Sequence, residues 1–185
     1  MSGAMVKRVY APLLARARRA ANPESRMKKA VDLIWNAFST PTHPPEHTDD
    51  GHQHPAISWI GFYLFREGAG PDGGDGLVLG PSRDKPACSP IGLHGVCGRC
   101  YLERASILVD DVATLGPNYI ACDPNDRSEL CIPLVNDEGV CWGVLDADSF
   151  QAAAFNEHDV RGMTMLCQRL GLTSASHGTP PTLRL

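Results

Sequence analysis

Long apolar runs are missing from this chain. No stretch of its 185 residues approaches the roughly 18 consecutive apolar residues that a transmembrane helix requires. No apolar run behind the first residues has the form of a signal peptide. These absences argue against the membrane and secreted classes, and we expect a cytoplasmic protein with no membrane partner.

Internal repeats are also absent, and no residue type is extreme enough to indicate a disordered or collagenous chain. With 43% hydrophobic and 21% charged residues, the composition is that of an ordinary globular domain. A chain of this length forms one core easily and two only with difficulty. We therefore predict a single domain over 22–171. A basic extension over 1–21 that can form a short helix precedes it, and a polar tail over 172–185 that frays follows it.

Acidic residues are nearly missing from the first 29 positions. This segment holds eight lysines and arginines against one acid, Glu24, although the whole chain has a net charge of −4. Such a leader could direct the chain to an organelle or bind nucleic acid. Runs of charge most often belong to the solvated face of a helix, so we favour that interpretation and expect no nucleic-acid partner.

Paired metal-binding motifs are a further absence. Cys97 and Cys100 form a CxxC, with His94 and Cys88 as conceivable further ligands, but no second CxxC or HxxxH accompanies them. Four histidines fall within residues 39–56, among prolines that support neither helix nor strand. Zinc sites usually need ligands held by surrounding structure. We predict no metal and no other cofactor.

Periodic apolar patterns predict helices at both ends of the domain and strands between them. The first helix begins behind Asn22 as its cap, and the last begins behind Asn156 and ends at Gly171. Residues 59–65 alternate between two faces that are both apolar, which is typical of a central strand. The whole pattern indicates an α/β fold: a central, mainly antiparallel sheet of about six strands, with the N- and C-terminal helices packed on one face.

Seven cysteines, an odd number, do not indicate a secreted disulfide framework, so we expect free thiols in a reducing compartment. Three lie in turns marked by glycine or proline, where a thiol can be exposed and reactive: Cys88, Cys97 and Cys122. Cys97 also lies at a predicted helix start, which would lower its pKa. Three others lie in apolar runs or on a helix and are expected to pack in the core: Cys131, Cys141 and Cys167.

Three carboxylates are candidates for acid–base chemistry. Asp146 and Asp148 stand two apart at the end of a predicted strand, so their side chains point to the same side and repel each other. Such repulsion raises the pKa of one acid. Glu129, at the start of the neighbouring hairpin strand, can join them. Strand-end aspartates also cap turns, so a purely structural role stays open.

Seven short motifs between Ser58 and Phe150 resemble, in the same order, those of the free methionine-(R)-sulfoxide reductases, enzymes built on a GAF domain. The motifs are SWIGFYL, LVLGP, KPAC, GVCG, IACD, DRSELCIPLV and GVLDADS. Generic GAF domains would share the fold but not this set of cysteines. Two features depart from the pattern: Cys100 is an additional cysteine, and the loop over 39–56 is longer than expected.

The resemblance implies a GAF fold and a role for each candidate residue. It implies Cys122 as the nucleophile, Cys88 as the resolving cysteine and Cys97 as a third redox cysteine. It assigns the ammonium and sulfoxide groups of the substrate to three carboxylates, Glu129, Asp146 and Asp148. It makes Trp59 and Tyr63 the walls of the pocket, beside Gly61, which would leave room for the S-methyl group.

The implied reaction needs no cofactor. The nucleophile takes the sulfoxide oxygen as a sulfenic acid, a second thiol converts this to a disulfide, and thioredoxin or a similar dithiol reduces the disulfide. Two other functions stay open. One is a ligand- or redox-sensing GAF domain, and the other is a repair reductase acting on peptide-bound methionine sulfoxide. A homodimer is expected only by analogy with other GAF domains.

Overall fold

The structure is a computed structural model that describes residues 7–40, 56–116, 119 and 122–185. The loop predicted over 39–56, with its four histidines, lies almost wholly outside the described residues, as do residues 1–6. Within the described ranges, no helix is both long and apolar enough to cross a membrane.

Four α-helices and seven strands follow one another along the described chain. The helices are α1 (Ala11–Arg16), α2 (Pro23–Phe38), α3 (Val96–Glu103) and α4 (Glu157–Leu170). The strands are β1 (Trp59–Arg66), β2 (Gly76–Arg83), β3 (Ile91–Gly92), β4 (Ser106–Val109), β5 (Ser128–Val135), β6 (Cys141–Ser149) and β7 (Thr182–Arg184). A short 3-10 helix, Val112–Leu115, lies in the connection between β4 and β5.

Local sequence signals define the ends of the two long helices. The side chain of Asn22 accepts a hydrogen bond of 2.8 Å from the backbone N–H of Ser25 and so caps α2. Asn156 caps α4 through a reciprocal capping box with Asp159. Gly171 ends α4 in the left-handed conformation, which glycine adopts without strain. The predicted start of α2 and both predicted ends of α4 are confirmed.

All seven strands form one sheet, in the order β3-β2-β1-β6-β5-β4-β7. Neighbouring strands are antiparallel except β4 and β7, which are parallel. The predicted α/β fold with a mainly antiparallel sheet is confirmed, with seven strands rather than about six. The prediction that the C-terminal tail frays is wrong, because β7 lies within that tail and pairs with β4.

The two faces of β1 belong to two separate cores, as its alternating pattern predicts. Ile60 and Phe62 face a large core built with α1, α2 and α4, whereas Trp59 and Tyr63 face a smaller core beneath α3. The N- and C-terminal helices therefore share one face of the sheet, as predicted. The sequence did not indicate that α3 covers the opposite face, and the predicted site residues collect under α3.

One residue of the basic leader is buried within the domain. Arg8 is fully buried, forms an ion pair of 2.9 Å with Asp159 of α4, and donates a hydrogen bond of 3.0 Å to the carbonyl oxygen of Ala154. Tyr10 donates a hydrogen bond of 2.8 Å to the other oxygen of Asp159. A charge in the core requires such partners. The interpretation of the basic leader as a solvated helix face is therefore wrong for Arg8.

Candidate active site

Three neighbouring strands place the predicted carboxylates together on the α3 side of the sheet. Glu129 of β5 pairs with Asp148 of β6, which pairs on its other side with Trp59 of β1. Two positions away on each of these strands, Cys131 of β5 pairs with Asp146 of β6. Because residues two apart on a strand share a face, these five side chains form a compact group. The register of the sheet assembles them.

A cavity of about 50 Å³ lies over this group. Its walls include all three predicted carboxylates, two of the three predicted cysteines, two tyrosines and one further acid: Glu129, Asp146, Asp148, Cys97, Cys122, Tyr63, Tyr119 and Asp126. A cavity of this size has room for a few water molecules, so we expect its walls to move when a larger ligand enters.

Two larger depressions lie on the side of the sheet that carries α2, and both include Pro23 and Trp142 in their walls. Their volumes are about 580 and 690 Å³, but neither is lined by a cysteine. The thiol and carboxyl groups are concentrated in the smaller cavity, which we therefore take as the candidate site.

The loops that carry Cys88 and Cys122 meet beside this cavity. Both cysteines are free and exposed at the surface, and the thiol of Cys122 interacts with Cys88. Desolvation, together with this interaction, raises the pKa of the Cys122 thiol to about 12. The thiol of the free protein is therefore protonated at neutral pH, and it becomes a nucleophile only as it loses its proton.

Three contacts hold the Cys88 loop in place. The indole N–H of Trp59 donates a hydrogen bond of 3.1 Å to the carbonyl oxygen of Lys85. The hydroxyl of Tyr63 donates one of 2.9 Å to the carbonyl oxygen of Cys88. The ammonium group of Lys85 forms an ion pair with Asp123, the neighbour of Cys122. The two cysteine loops are thus fastened both to β1 and to each other.

The surroundings of Gly61 differ from the prediction. A β-carbon built on Gly61 would lie 2.4 Å from the indole of Trp59. Glycine at this position makes room for the tryptophan ring rather than for a methyl group of the substrate. Tyr63 lines the cavity over the carboxylates, whereas Trp59 lines a neighbouring cavity of about 20 Å³ beside Lys85 and Cys122.

Cys97 departs furthest from the sequence prediction. It lies in the first turn of α3, but it is only 6% exposed, and its sulfur is 3.8 Å from that of Cys131. The hydrogen bond with Cys131 and burial raise the pKa of Cys97 well above its ordinary value. The predicted lowering by the helix start is wrong, because a buried thiolate loses its hydration. Cys100 is also buried, and so are the three cysteines predicted to pack, Cys131, Cys141 and Cys167.

Burial raises the pKa of all three predicted carboxylates. Desolvation is the main cause in each case, and it brings the pKa of Glu129 to about 7. The pKa values of Asp146 and Asp148 rise well above their ordinary value, and repulsion from Glu129 and Asp126 adds to both. The predicted direction is confirmed, but burial contributes more than like charge. These groups can therefore hold protons near neutral pH.

Tyr119 and Asp126 are site residues that the sequence analysis missed. The hydroxyl of Tyr119 donates a hydrogen bond of 3.1 Å to the carboxylate of Glu129. Asp126 accepts one of 3.0 Å from the hydroxyl of Ser58. Both lie in an irregular connection, so no local pattern points to them. Cys131 could have been placed, because it follows Glu129 by two positions on a predicted strand and must share its face.

Removing the charge of Lys85 is expected to slow formation of a disulfide between Cys88 and Cys122. Lys85→Met keeps much of the side-chain length but deletes the ion pair with Asp123, so the two loops lose their electrostatic link. We expect oxidation by diamide to join the two thiols about two- to fivefold more slowly, from the modest free energy of a partly exposed ion pair. The loss of free thiols with time measures this rate.

Lys28→Met is the matched control for that measurement. It removes an exposed ion pair on α2, remote from both cysteine loops, and should leave the oxidation rate unchanged. Equal rates in Lys85→Met and in the unsubstituted protein would show that the ion pair does not position the loops.

The fold and the sequence agree on the class of protein. Residues 47–173 match the GAF domain family, and the chain belongs to that family. Its α/β architecture with a mixed seven-stranded sheet matches solved GAF structures.

Individual proteins and solved structures allow a more specific comparison than the family alone. The free methionine-R-sulfoxide reductase of Escherichia coli is 37% identical over 116 residues, which are 62% of this chain and 64% of that protein. The structure of free methionine-R-sulfoxide reductase from Neisseria meningitidis, in complex with its substrate, is 28% identical with a TM-score of 0.67 and covers 91% of this chain and 89% of that one. The structure of a protein from Burkholderia vietnamiensis described as a putative GAF sensor is 32% identical with a TM-score of 0.68, and the match covers 88% of this chain and 90% of that one.

Proposed function

We propose that this protein reduces free L-methionine-(R)-sulfoxide to methionine with its own thiols. One observation carries the proposal: Cys122 interacts with Cys88 beside a cavity lined by three carboxyl groups of raised pKa. A thiol pair supplies the two electrons that a sulfoxide requires, and the carboxyl groups can bind an ammonium group and donate a proton. The similarity to the reductases of E. coli and N. meningitidis supports this function.

The carboxyl groups are the proposed partners of the substrate. Glu129, Asp146 and Asp148 line the cavity, and one negative charge among them suffices to bind the ammonium group of a free amino acid. In the free protein the hydroxyl of Tyr119 donates to Glu129, where an N–H group of the substrate would donate. We therefore propose that Tyr119 moves aside when the substrate enters, which also enlarges the small cavity.

The proposed chemistry has two steps. The sulfur of Cys122 attacks the sulfoxide and takes its oxygen. The thiol loses a proton, a carboxyl group protonates the oxygen, methionine leaves, and Cys122 carries a sulfenic acid. The thiol of Cys88 then attacks the Cys122 sulfur, so that a disulfide forms and water leaves. Overall, one sulfoxide and two thiols become one sulfide, one disulfide and one water.

The position of each thiol decides its proposed part in the second step. Cys97 is buried and its sulfur contacts Cys131, whereas Cys88 is exposed and interacts with Cys122, so Cys88 is the proposed resolving cysteine and Cys97 an alternate partner. A disulfide between Cys88 and Cys122 would lie at the surface. Thioredoxin or a similar dithiol is the proposed reductant, because thiol–disulfide exchange requires access to the sulfur atoms.

A thioredoxin-coupled assay tests the proposal. We expect NADPH oxidation with free L-methionine-(R)-sulfoxide and none with the (S) epimer. The N-acetylated, amidated (R) form should react far more slowly, because it lacks the ammonium group. No turnover of the free (R) epimer would contradict the proposal, and equal turnover of the blocked form would indicate a reductase of peptide-bound methionine sulfoxide.

Removing the hydroxyl of Tyr119 is expected to lower KM for the sulfoxide. Tyr119→Phe keeps the ring but deletes the hydrogen bond to Glu129 that the substrate must displace. One such bond is worth about 1 kcal/mol, which predicts a KM about fivefold lower with kcat little changed. Tyr101→Phe is the control, because Tyr101 stacks on Phe65 away from the carboxylates. A raised KM in Tyr119→Phe would show that the hydroxyl binds the substrate instead.

A sensing role is the second candidate function, and the similarity to the B. vietnamiensis sensor structure favours it. A sensor would bind the sulfoxide tightly and release it unchanged. Calorimetry of binding, followed by chromatography of the released ligand, separates the two functions. Methionine in the released fraction would exclude a purely sensing role.

A further inference from the structure

A second cluster of thiols lies behind the proposed reactive pair. Cys97 of α3, Cys131 of β5 and Asp146 of β6 are all buried, and one ligand atom from each lies within 4.8 Å of the others. Cys97 and Asp146 also line the cavity. The proposed reduction uses the thiols of Cys88 and Cys122, so the contact between Cys97 and Cys131 has no part in it.

The two sulfur atoms have the spacing that a tetrahedral metal ion requires. Zinc binds thiolate sulfur at about 2.3 Å, and two such bonds at the tetrahedral angle separate their sulfur atoms by about 3.8 Å. The sulfur atoms of Cys97 and Cys131 are 3.8 Å apart. Two thiols in simple contact have a similar separation, so the spacing needs the support of a third ligand.

Asp146 supplies that ligand. The residue is only 6% exposed, and its Oδ1 atom has no hydrogen-bond partner among the described residues. A buried carboxyl oxygen without a partner is costly, and a bound cation would remove the cost. β6 lies between β1 and β5 in the sheet, and this pairing on both sides fixes the backbone of Asp146 beside the two thiols.

We propose that Cys97, Cys131 and Asp146 bind one soft divalent cation, zinc or a metal of similar chemistry, with the fourth position open to the cavity. Two thiolates and one carboxylate are ligands of the type that zinc prefers, and an open fourth position leaves room for water. Both thiols release their protons on binding. The ligands come from three separate elements, so the CxxC spacing of Cys97 and Cys100 does not reveal the site.

A metal at this site would also control access to the cavity. It would occupy Asp146 and Cys97 and exclude a substrate from the carboxyl groups. Zinc would then inhibit sulfoxide reduction, and a chelator would restore it. This consequence rests on the proposed function, whereas the site itself does not.

Cobalt(II) tests the site without any turnover. The full-length chain would carry Cys88→Ser and Cys122→Ser, because the exposed thiol pair could otherwise bind metal or form a disulfide. We expect one equivalent of Co²⁺ to give the reduced protein a thiolate-to-cobalt charge-transfer absorption and the intense visible bands of tetrahedral cobalt. Excess Zn²⁺ should remove both, since zinc binds such ligands more tightly.

Two further substitutions, each made in the Cys88→Ser, Cys122→Ser protein, test which residues bind the metal. Cys131→Ala and Asp146→Asn should each weaken Co²⁺ binding by about tenfold or more. Asp146→Asn keeps the test valid if Cys131→Ala does not fold. Cys167→Ala, which removes a buried thiol from α4 in the other core, is the matched control and should keep the spectrum.

Two results would overturn the site: no charge-transfer absorption in the Cys88→Ser, Cys122→Ser protein, or an absorption that Cys131→Ala and Asp146→Asn leave unchanged. Failure of the proposed function would appear elsewhere, as an unsubstituted enzyme that is inactive in the reductase assay. The cobalt spectrum does not depend on that assay, so the two failures are distinguishable.

Discussion

Replacing Cys122 with serine is expected to abolish turnover of free methionine-(R)-sulfoxide, with a loss on the order of 10³-fold or more. A serine hydroxyl is a much weaker nucleophile toward sulfur and cannot carry the oxygen as a sulfenic acid. The coupled NADPH assay measures the loss. Cys141→Ser is the matched control, because its hydroxyl can keep the bond that the thiol donates to the carbonyl oxygen of Gly143 at 3.4 Å.

Substitutions of the other two predicted cysteines, Cys88 and Cys97, distinguish the two steps of the reaction. Cys88→Ser should form about one equivalent of methionine per chain and then turn over far more slowly, because only the buried Cys97 remains to resolve the sulfenic acid, which dimedone traps on Cys122. Cys97→Ser should keep most of the turnover. Turnover that survives in Cys122→Ser but disappears in Cys97→Ser would show that Cys97 is the nucleophile, and the proposed order of the thiols would be wrong.

Glu129→Gln is expected to remove a pH-dependent loss of stability while it weakens substrate binding. Burial raises the pKa of Glu129 from its ordinary 4.5 to about 7 in the folded protein, opposed by the hydrogen bond from Tyr119 and helped by Asp126. Between these two pH values the folded chain holds a proton that the unfolded chain has released. The free energy of unfolding therefore falls as pH rises from about 4.5 to 7.

Urea unfolding at pH 5 and pH 8, in the presence of a chelator, measures this effect. Each unit of pKa shift is worth about 1.4 kcal/mol, so after relaxation of the site we expect the variant to gain on the order of 2 kcal/mol over the unsubstituted protein between the two pH values. The other groups that face Glu129 are present in both proteins: Tyr119, Asp126, Asp146 and Asp148. Without the charge of Glu129, the pKa values of Asp146 and Asp148 are raised less, which adds to the expected gain.

Glu138→Gln, in the exposed turn between β5 and β6, is the control for this measurement. It removes a carboxyl group outside the cavity and should change the free energy of unfolding equally at the two pH values. The same variants report on binding, because Glu129→Gln should raise KM for the sulfoxide and Glu138→Gln should not. If Glu129→Gln changed the free energy of unfolding by the same amount at pH 5 and at pH 8, the carboxyl group of Glu129 would not be held protonated by burial.

The buried carboxyl groups of the cavity lower the stability of the fold. Burying carboxyl groups without counter-charges destabilises a fold, and four of them line one small cavity. A ligand that carries an ammonium group would relieve this cost, so a protein that binds such a ligand is expected to be less stable without it. The site therefore favours function at the expense of stability.

Sequence alone predicted the elements whose signals are local. Asn22, Asn156 and Gly171 mark helix ends through their own side chains or backbone freedom, and the structure confirms all three. The alternation along residues 59–65 identified a strand with two apolar faces, because the period of a strand is a property of its own residues. The spacing of Asp146 and Asp148 placed both on one face for the same reason.

These local signals do not predict contacts between segments that are distant in the chain. The meeting of Cys88 with Cys122, the burial of Cys97 against Cys131 and the ion pair of Arg8 with Asp159 each join residues far apart in the chain. The sequence by itself predicted which residues are candidates for the chemistry and which elements they stand on. The tertiary structure decided which thiols are exposed and which are buried, because the environment of a side chain depends on strand order and loop packing that no local pattern records.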